Sequence, residues 1–133
     1  MRKDLKSKKF YGINTFIPVK NLRETLDFYR DKLGFYDEWT WNDLDGGIQR
    51  DDMRLLFSEE SVYKDSFNSD FRYSQLWFVD NVDQVLNEYR IRGIDIFSDI
   101  ENKPWGTREF IFKDLNGHWI RVAEVVKERR NKK

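Results

Sequence analysis

The side chains that could carry out chemistry are few in this chain of 133 residues. It has no cysteine, and His118 is its single histidine. A hydroxyl nucleophile would need that one imidazole as its base, and a zinc or transition-metal site would need carboxylates almost alone. The carboxylate pairs at 51–52 and 59–60 fall in predicted turns, where solvated charge is their ordinary role. We therefore expect His118 on the surface of a turn, and no catalytic residues.

The charge balance limits the partners that the chain can have. It carries 24 basic and 24 acidic residues, so its formal net charge is zero. A nucleic-acid-binding surface needs a basic surplus on one face, so nucleic acid is not an expected partner. No apolar segment is long enough to span a membrane or to form a signal peptide behind the basic start. We expect a cytoplasmic protein with no membrane contact.

Aromatic residues are unusually abundant, at 17% of the chain. Their large side chains can build a core from few residues, and they can equally line a pocket. Composition does not distinguish these two uses, and the position of each ring in the fold has to decide.

Two helices are predicted between runs of strands. Each predicted helix carries an apolar stripe on one face and runs from an asparagine cap to a glycine stop, at 21–34 and 81–93. Residues 42–47 read as a turn, and the polar segment 59–72 reads as a linker. The alternating or β-branched segments that predict strands are 10–19, 35–41, 48–50, 53–58, 73–79, 94–100, 110–113 and 119–126.

The second half of the chain repeats the first. Six residues recur in type or character sixty positions later, in one register around the helix: Val19, Asn21, Leu22, Leu26, Tyr29 and Arg30. The repeat predicts a single α+β domain of two βαβββ modules, at about 10–58 and 73–126, followed by a basic tail at 127–133. Each half-sheet would bury one face under its helix and leave the other face free to curve around a ligand or a partner.

Several motifs identify a family. The chain resembles the bleomycin-resistance branch of the glyoxalase, bleomycin-resistance and extradiol dioxygenase (vicinal oxygen chelate) superfamily. The motifs that carry the resemblance are Phe-Tyr-Arg-Asp-Lys-Leu-Gly-Phe at 28–35, Asp-Leu-Asn-Gly-His-Trp-Ile at 114–120, Pro-Trp-Gly-Thr-Arg-Glu-Phe at 104–110 and the strand pair 47–58. The resemblance implies two curved mixed sheets. For the bleomycin-resistance branch it also implies a homodimer that sequesters its drug in clefts between the subunits.

The same resemblance locates the metal of the superfamily's enzymes, which is held by His and Glu on the first and last strands of each half. Here the corresponding positions fall on Asn14, at about Leu55, on Ser74 and on Arg121. None of these is a histidine or a carboxylate, and Arg121 would place a fixed positive charge where the cation would lie. We expect no metal and no other cofactor.

Strand alternation sorts the residues that would line the free faces, or cups, of the two modules. Arg121 in a cup would repel a cationic ligand unless an acid such as Glu109 or Glu124 pairs with it. The predicted ligand-binding residues are Asn14, Phe16, Trp39, Trp41, Phe57, Ser74, Leu76, Phe78, Trp105, Phe110, Trp119 and Arg121.

Three functions remain open. The first is a non-enzymatic, homodimeric binding protein that sequesters an aromatic or glycopeptide-type antibiotic. The second is a metal-dependent lyase, dioxygenase or thiol transferase of the same superfamily, against which the missing ligands argue. The third is an interaction module whose cups are filled by its own side chains. For a cup holding Trp119 and Arg121, the expected ligand is planar and aromatic, or anionic.

Overall fold

The computed structural model describes residues 9–10, 12–61 and 74–126. Within these residues the first half contains β1 (Phe16–Pro18), α1 (Leu22–Asp31), β2 (Tyr36–Thr40), β3 (Asp45–Arg50) and β4 (Met53–Ser58). The second half contains β5 (Ser74–Phe78), α2 (Val82–Ile91), β6 (Ile96–Asn102), β7 (Thr107–Lys113) and β8 (Trp119–Val125). The predicted α+β fold of two βαβββ halves is confirmed. The predicted linker and basic tail lie largely outside the described residues. Within the described part of the chain, no helix has the length and apolar character needed to cross a membrane.

The two sheets have the same strand order, β1-β4-β3-β2 and β5-β8-β7-β6. In each sheet the first strand runs parallel to the last, and the other neighbours are antiparallel. The registers also correspond, because Phe16 pairs with Leu56 as Leu76 pairs with Arg121. The offset of sixty found in the sequence therefore holds in three dimensions for β1 and β5, while their partners on β4 and β8 are offset by 65.

Both helices begin and end as the sequence predicts. The Asn21 side chain accepts a hydrogen bond from the Glu24 amide at 2.8 Å, and Asn81 accepts one from the Gln84 amide at 3.1 Å. After each helix a glycine turns the chain with positive φ, at +80° for Gly34 and +76° for Gly93.

The predicted turn at 42–47 is wrong at its second half. Gly46 and Gly47 belong to β3, where they pair with Thr40 and Trp39 across the sheet. A β-carbon on Gly47 would collide with the Trp39 ring, and one on Gly46 would approach the Trp39 carbonyl oxygen to 2.6 Å. Glycine is present here because a neighbouring strand and ring approach closely. The chain reverses direction before these glycines, at 41–44.

The modules are joined by aromatic rings and by buried hydrogen bonds. Trp77 of the second module packs against Phe35 and Tyr29 of the first, at centroid distances of 5.4 and 6.4 Å. The Tyr29 hydroxyl donates to Asp114 Oδ2 at 2.7 Å, and the Tyr89 hydroxyl donates to the Leu33 carbonyl at 2.9 Å. Burial, with Asp114 beside it, raises the pKa of Tyr29 well above its ordinary value, so the hydroxyl remains protonated. The two tyrosines are repeat equivalents, and each binds the opposite module.

His118 lies in this junction, and its predicted place on the surface is wrong. Its side chain is fully buried, and Nε2 is 2.8 Å from the carbonyl oxygen of Pro18. Because a carbonyl can only accept, Nε2 carries the proton. The turn before it is braced by Asp114, whose carboxylate accepts hydrogen bonds from the Asn116 and His118 amides, both at 2.9 Å. The turn packs against the first module instead of facing water.

We expect Tyr29→Phe to lower the free energy of unfolding by about 1–3 kcal/mol, because it leaves a buried carboxylate oxygen without its donor. Tyr89→Phe is the matched control. It removes an equivalent hydroxyl that donates only to a neutral carbonyl, so about 0.5–1.5 kcal/mol is expected. Urea unfolding monitored by circular dichroism measures both. Equal losses for the two variants would contradict a special role for the Tyr29–Asp114 contact.

Candidate functional site

Each sheet has one face under its helix and one face that the helix leaves uncovered. We call the uncovered faces the first and second open faces. The first comprises Phe16, Trp39, Gly47, Arg54 and Leu56, and the second comprises Phe97 and residues of β5, β7 and β8: Leu76, Phe78, Glu109, Lys113, Trp119 and Arg121.

The second open face is apolar and exposed. Leu76, Phe78 and Trp119 expose 49%, 58% and 37% of their surfaces. Register places Ser74 beside Trp119 and Leu76 beside Arg121. Five residues that the sequence assigned to a cup, Ser74, Leu76, Phe78, Trp119 and Arg121, therefore share one face of one sheet. Isolated exposed apolar residues are normal on a protein surface, but a contiguous set with large rings is characteristic of a binding site.

A pair of rings in tilted contact, inclined by 46°, forms one end of this face. The Phe97 and Trp119 centroids are 4.3 Å apart, and Lys113 Nζ lies 5.2 Å and 5.5 Å from them. The sequence missed Phe97 because a register shift between Ile96 and Ser98 interrupts the alternation along β6. It missed Lys113 although the residue pairs with Trp119 across β7 and β8. Alternation along β8 selected Trp119, but the parity of β7 stayed open until register paired Lys113 with Trp119.

A buried carboxylate lies at the other end of the face. Glu109 is only 3% exposed, and its Oε2 accepts hydrogen bonds from Thr107 Oγ1 at 2.5 Å and Trp105 Nε1 at 3.2 Å. The Trp105 ring is 63% exposed, yet this bond fixes its orientation. The other oxygen, Oε1, makes no hydrogen bond and lies 3.4 Å from Arg121 Nε in an ion pair. Of the two acids predicted as partners of Arg121, Glu109 is the one in contact, and Glu124 instead accepts from the Val82 amide at 3.0 Å.

The first open face is filled by the protein's own side chains. Trp39 is half-buried across Gly47, and the Arg54 guanidinium lies 4.6 Å above the Trp39 ring. Phe16 meets Trp41 edge-on at 6.5 Å, and Trp41 remains half exposed. Phe16, Trp39 and Trp41 were all predicted in a cup, and the structure brings them together here. They are on the other sheet from the exposed rings of the second open face.

Two predicted cup residues lie on the wrong side of their sheets. Phe57 and Phe110 are buried against the helices, with the Tyr29 ring 5.0 Å from Phe57 and the Tyr89 ring 6.5 Å from Phe110. Phe57 pairs with Ile17, and Phe110 pairs with Val122, both of which are core residues. Their assignment to the cup is wrong, because both rings complete the hydrophobic core.

A crevice separates the starts of β1 and β5, with a volume of about 430 Å³. Asn14 and Ser74 both line it, as do Arg54, Leu55 and Leu76. Gln75 also faces this crevice, and its buried Nε2 makes no hydrogen bond within the described part of the protein. Asn14 and Ser74, placed at equivalent positions by the repeat, are therefore gathered around one crevice.

The residues at the superfamily's metal positions do not fit a divalent cation. Register corrects one position, since Leu56, and not Leu55, is the equivalent of Arg121, and Leu55 packs against the core. The corrected set offers one amide, one hydroxyl, one aliphatic side chain and one guanidinium, and divalent cations bind poorly to such donors. Among the described residues, no cluster of three or more His, Asp or Glu side chains could hold a metal.

A second buried carboxylate occupies the equivalent place in the first module. Asp45 pairs with Ser58 as Glu109 pairs with Ala123, and it is 4% exposed. Its Oδ2 accepts from Asn42 Nδ2 at 2.8 Å. Burial raises the pKa of Asp45, but hydrogen bonds from Ser58 and Asn42 outweigh burial and bring the pKa below its ordinary value. The Asp45 carboxylate in turn raises the pKa of Glu60.

Comparison with known proteins agrees with this architecture. The model of the Glyoxalase/Bleomycin resistance protein/Dioxygenase superfamily matches residues 12–122. No curated protein matches the chain. With two βαβββ modules in corresponding registers, the fold belongs to the class of paired-module proteins. The chain is a member of the glyoxalase/bleomycin resistance protein/dioxygenase superfamily.

Solved structures share the fold at low sequence identity. A glyoxalase/bleomycin resistance protein/dioxygenase from Nocardioides is 14% identical, with a TM-score of 0.74 over 95% of this chain and 91% of that one. A superfamily member from Sphaerobacter thermophilus DSM 20745 is 22% identical, with a TM-score of 0.70 over 87% and 98%. A lactoylglutathione lyase from Agrobacterium tumefaciens is 17% identical, with a TM-score of 0.69 over 88% and 96%. These structures establish the fold, and the bleomycin-resistance branch stays a prediction.

We expect Gly47→Ala to destabilise the protein by about 1–3 kcal/mol, since the added methyl group would displace Trp39 or push β3 and β4 apart. Gly12→Ala is the control, because a β-carbon there would meet nothing within 4 Å. Urea unfolding measures the loss, and acrylamide quenching of tryptophan fluorescence reports whether Trp39 becomes exposed. A Gly47→Ala variant as stable as Gly12→Ala would disprove the close packing of Trp39 on β3.

Proposed function

We propose that this protein is a non-enzymatic binding protein that sequesters a planar aromatic compound, such as an aromatic or glycopeptide-type antibiotic, on its second open face. The observation that carries the proposal is the pair of contacting rings Phe97–Trp119, which is exposed beside Lys113. Small-molecule sites combine aromatic walls with a few polar groups that fix orientation. The second open face supplies both.

Binding is favoured over catalysis by the donors on this face. The described residues of the second open face hold a paired carboxylate and two cations, with no histidine, since His118 is buried in the module junction. A metal-dependent lyase, dioxygenase or thiol transferase would need ligands that the superfamily positions lack here. The Glu109–Arg121 pair also bears on ligand charge. An unpaired Arg121 would repel a cationic drug, and the buried carboxylate reduces that repulsion.

The first open face supports a different role. Trp39 and Arg54 occupy it, as in an interaction module whose cup is filled by its own side chains. We therefore place the ligand on the second open face alone, and Phe16 and Trp41 lie outside the proposed site. Phe57 and Phe110 are not among the proposed contacts, because both are core residues.

We further propose a homodimer in which the partner covers the second open face and closes the cleft. Leu76 and Phe78 each expose about half of their surface or more on this face, as the core of a self-associating patch would. Leu76→Arg and Phe78→Arg are expected to convert dimer to monomer in sedimentation equilibrium. A particle of monomer mass in the wild type would refute this part of the proposal.

A ligand screen by thermal shift tests the binding function. A compound that binds only the native state raises stability by about 2.7 kcal/mol at a hundredfold excess over its dissociation constant. The panel contains bleomycin, phleomycin, planar aromatic acids and amides, and divalent metals. We expect an aromatic compound to raise the melting temperature of the wild type. Trp119→Ala and Arg121→Ala should weaken that compound's binding tenfold or more.

Trp41→Ala is the matched control, since it removes a half-exposed indole beside the other sheet, outside the proposed site, and should leave affinity within threefold. An affinity unchanged in Arg121→Ala would contradict the placement of the ligand. A stoichiometric metal in the purified protein would revive the enzyme alternative.

A further inference from the structure

We infer that Glu109 sets the charge preference of the second open face: by holding Trp105 and neutralising Arg121, it adapts this face to uncharged planar aromatic compounds. This inference rests on the function proposed above and names the chemical class of its ligand. The sequence singled out Trp105 and Arg121 separately, one as an exposed loop ring and one as a cup residue. The structure joins both to the same buried carboxylate.

The two oxygens of Glu109 have different partners. Oε2 is held by two donors, the Thr107 hydroxyl and the Trp105 indole, and so fixes the ring at one edge of the face. Oε1 is buried without a hydrogen bond, and the nearest charged group is Arg121 Nε at 3.4 Å. A buried carboxylate that lacks donors depends on a nearby positive charge for its stability. Arg121 is that charge, and 45% of its side chain remains open to water.

The pairing changes what Arg121 presents to a ligand. An unpaired guanidinium on an apolar face attracts carboxylates strongly and bidentately. Here the buried carboxylate contacts Nε and balances the charge of Arg121, whose side chain is 45% exposed. The terminal nitrogens of Arg121 can therefore still donate to a ligand carbonyl. One other charge nearby is balanced in the same way, since Glu101 pairs with Lys103 at 3.1 Å. Lys113 lies against the rings of Phe97 and Trp119 at the far end of the face.

The ligand class follows from this arrangement. Trp105 at one end and Phe97–Trp119 at the other present flat surfaces, and Arg121 lies on β8 between them. A planar aromatic ring that bears an uncharged carbonyl, such as an aromatic carboxamide, satisfies the donors of Arg121 without adding a charge. An aromatic carboxylate would compete with Glu109 for the same guanidinium, and an aromatic cation would compete with Arg121 for the carboxylate.

Three naphthalene probes of one shape test the inference by isothermal titration calorimetry: 2-naphthamide, 2-naphthoate and 2-naphthylmethylammonium. We expect the wild type to bind 2-naphthamide most tightly. Glu109→Gln retains an oxygen for Trp105 and Thr107 but removes the charge, and should shift preference toward 2-naphthoate at least tenfold relative to 2-naphthamide. Arg121→Gln removes the charge on which the buried carboxylate depends, so circular dichroism checks its fold first. The folded variant should shift preference toward 2-naphthylmethylammonium at least tenfold, and Glu109→Gln tests the pair independently.

Asp45→Asn is the matched control. It removes a carboxylate at the equivalent place in the first module, buried to the same degree and also with one oxygen that lacks a hydrogen bond. Its preference among the probes should stay within threefold of the wild type. A merely structural role for Glu109 would lower affinity for all three probes together without changing their ranking.

The outcomes separate the two proposals. If the probes bind but Glu109→Gln and Arg121→Gln change their ranking no more than Asp45→Asn does, the inference about Glu109 is overturned and the binding function stands. A wild type that prefers 2-naphthoate tenfold or more also overturns it. If none of the probes binds to any variant, both proposals fail for this class of ligand.

Discussion

The buried hydrogen bond from Tyr29 to Asp114 is the contact on which the arrangement of the two modules depends. It joins the first helix to the turn between β7 and β8, and both partners lie in the apolar junction. Burial raises the pKa of Asp114, because this environment solvates a carboxylate poorly. Tyr29 and the Asn116 and His118 amides supply the donors that water would supply outside. Once that turn is fixed, β7 and β8 are fixed, and with them Glu109 and Arg121.

The two modules share one backbone arrangement, and the open faces differ because equivalent positions hold different residues. Leu56 and Arg121 occupy the same place in the two sheets, as do Gly47 and Ile111, and Asp45 and Glu109. In the first module a glycine admits the Trp39 ring, which fills the open face. In the second module Ile111 stands at the place of Gly47, and Leu76, Phe78 and Trp119 keep much of their surface exposed. One backbone design therefore yields a closed face and an open one.

The sequence predicted the elements well where one physical signal dominates. Caps, glycine stops and apolar stripes placed both helices, and the repeat placed both sheets. It failed where the decision depends on neighbours distant in the chain. Phe57 and Phe110 look like cup rings until register pairs them with core residues, and a shift along β6 concealed Phe97. His118 looks exposed in a turn beside Gly117, but it is buried in the module junction and bonds a carbonyl 100 residues away. The Glu109–Arg121 pair was anticipated as one of two options, because strand pairing alone does not say which acid comes within reach.

The turn that carries Asp114 and His118 also determines when the junction between the two modules can form during synthesis. Its partners in the first module precede it by 85 and 100 residues, so the Tyr29 hydroxyl and the Pro18 carbonyl have no buried partner until the last hairpin has been made. Contacts so distant in sequence slow folding, and the nascent first module must meanwhile expose the apolar surface that later meets Trp77. A ribosome-bound chain that stops before residue 114 is therefore a target for chaperones and proteases rather than a half-size binding protein.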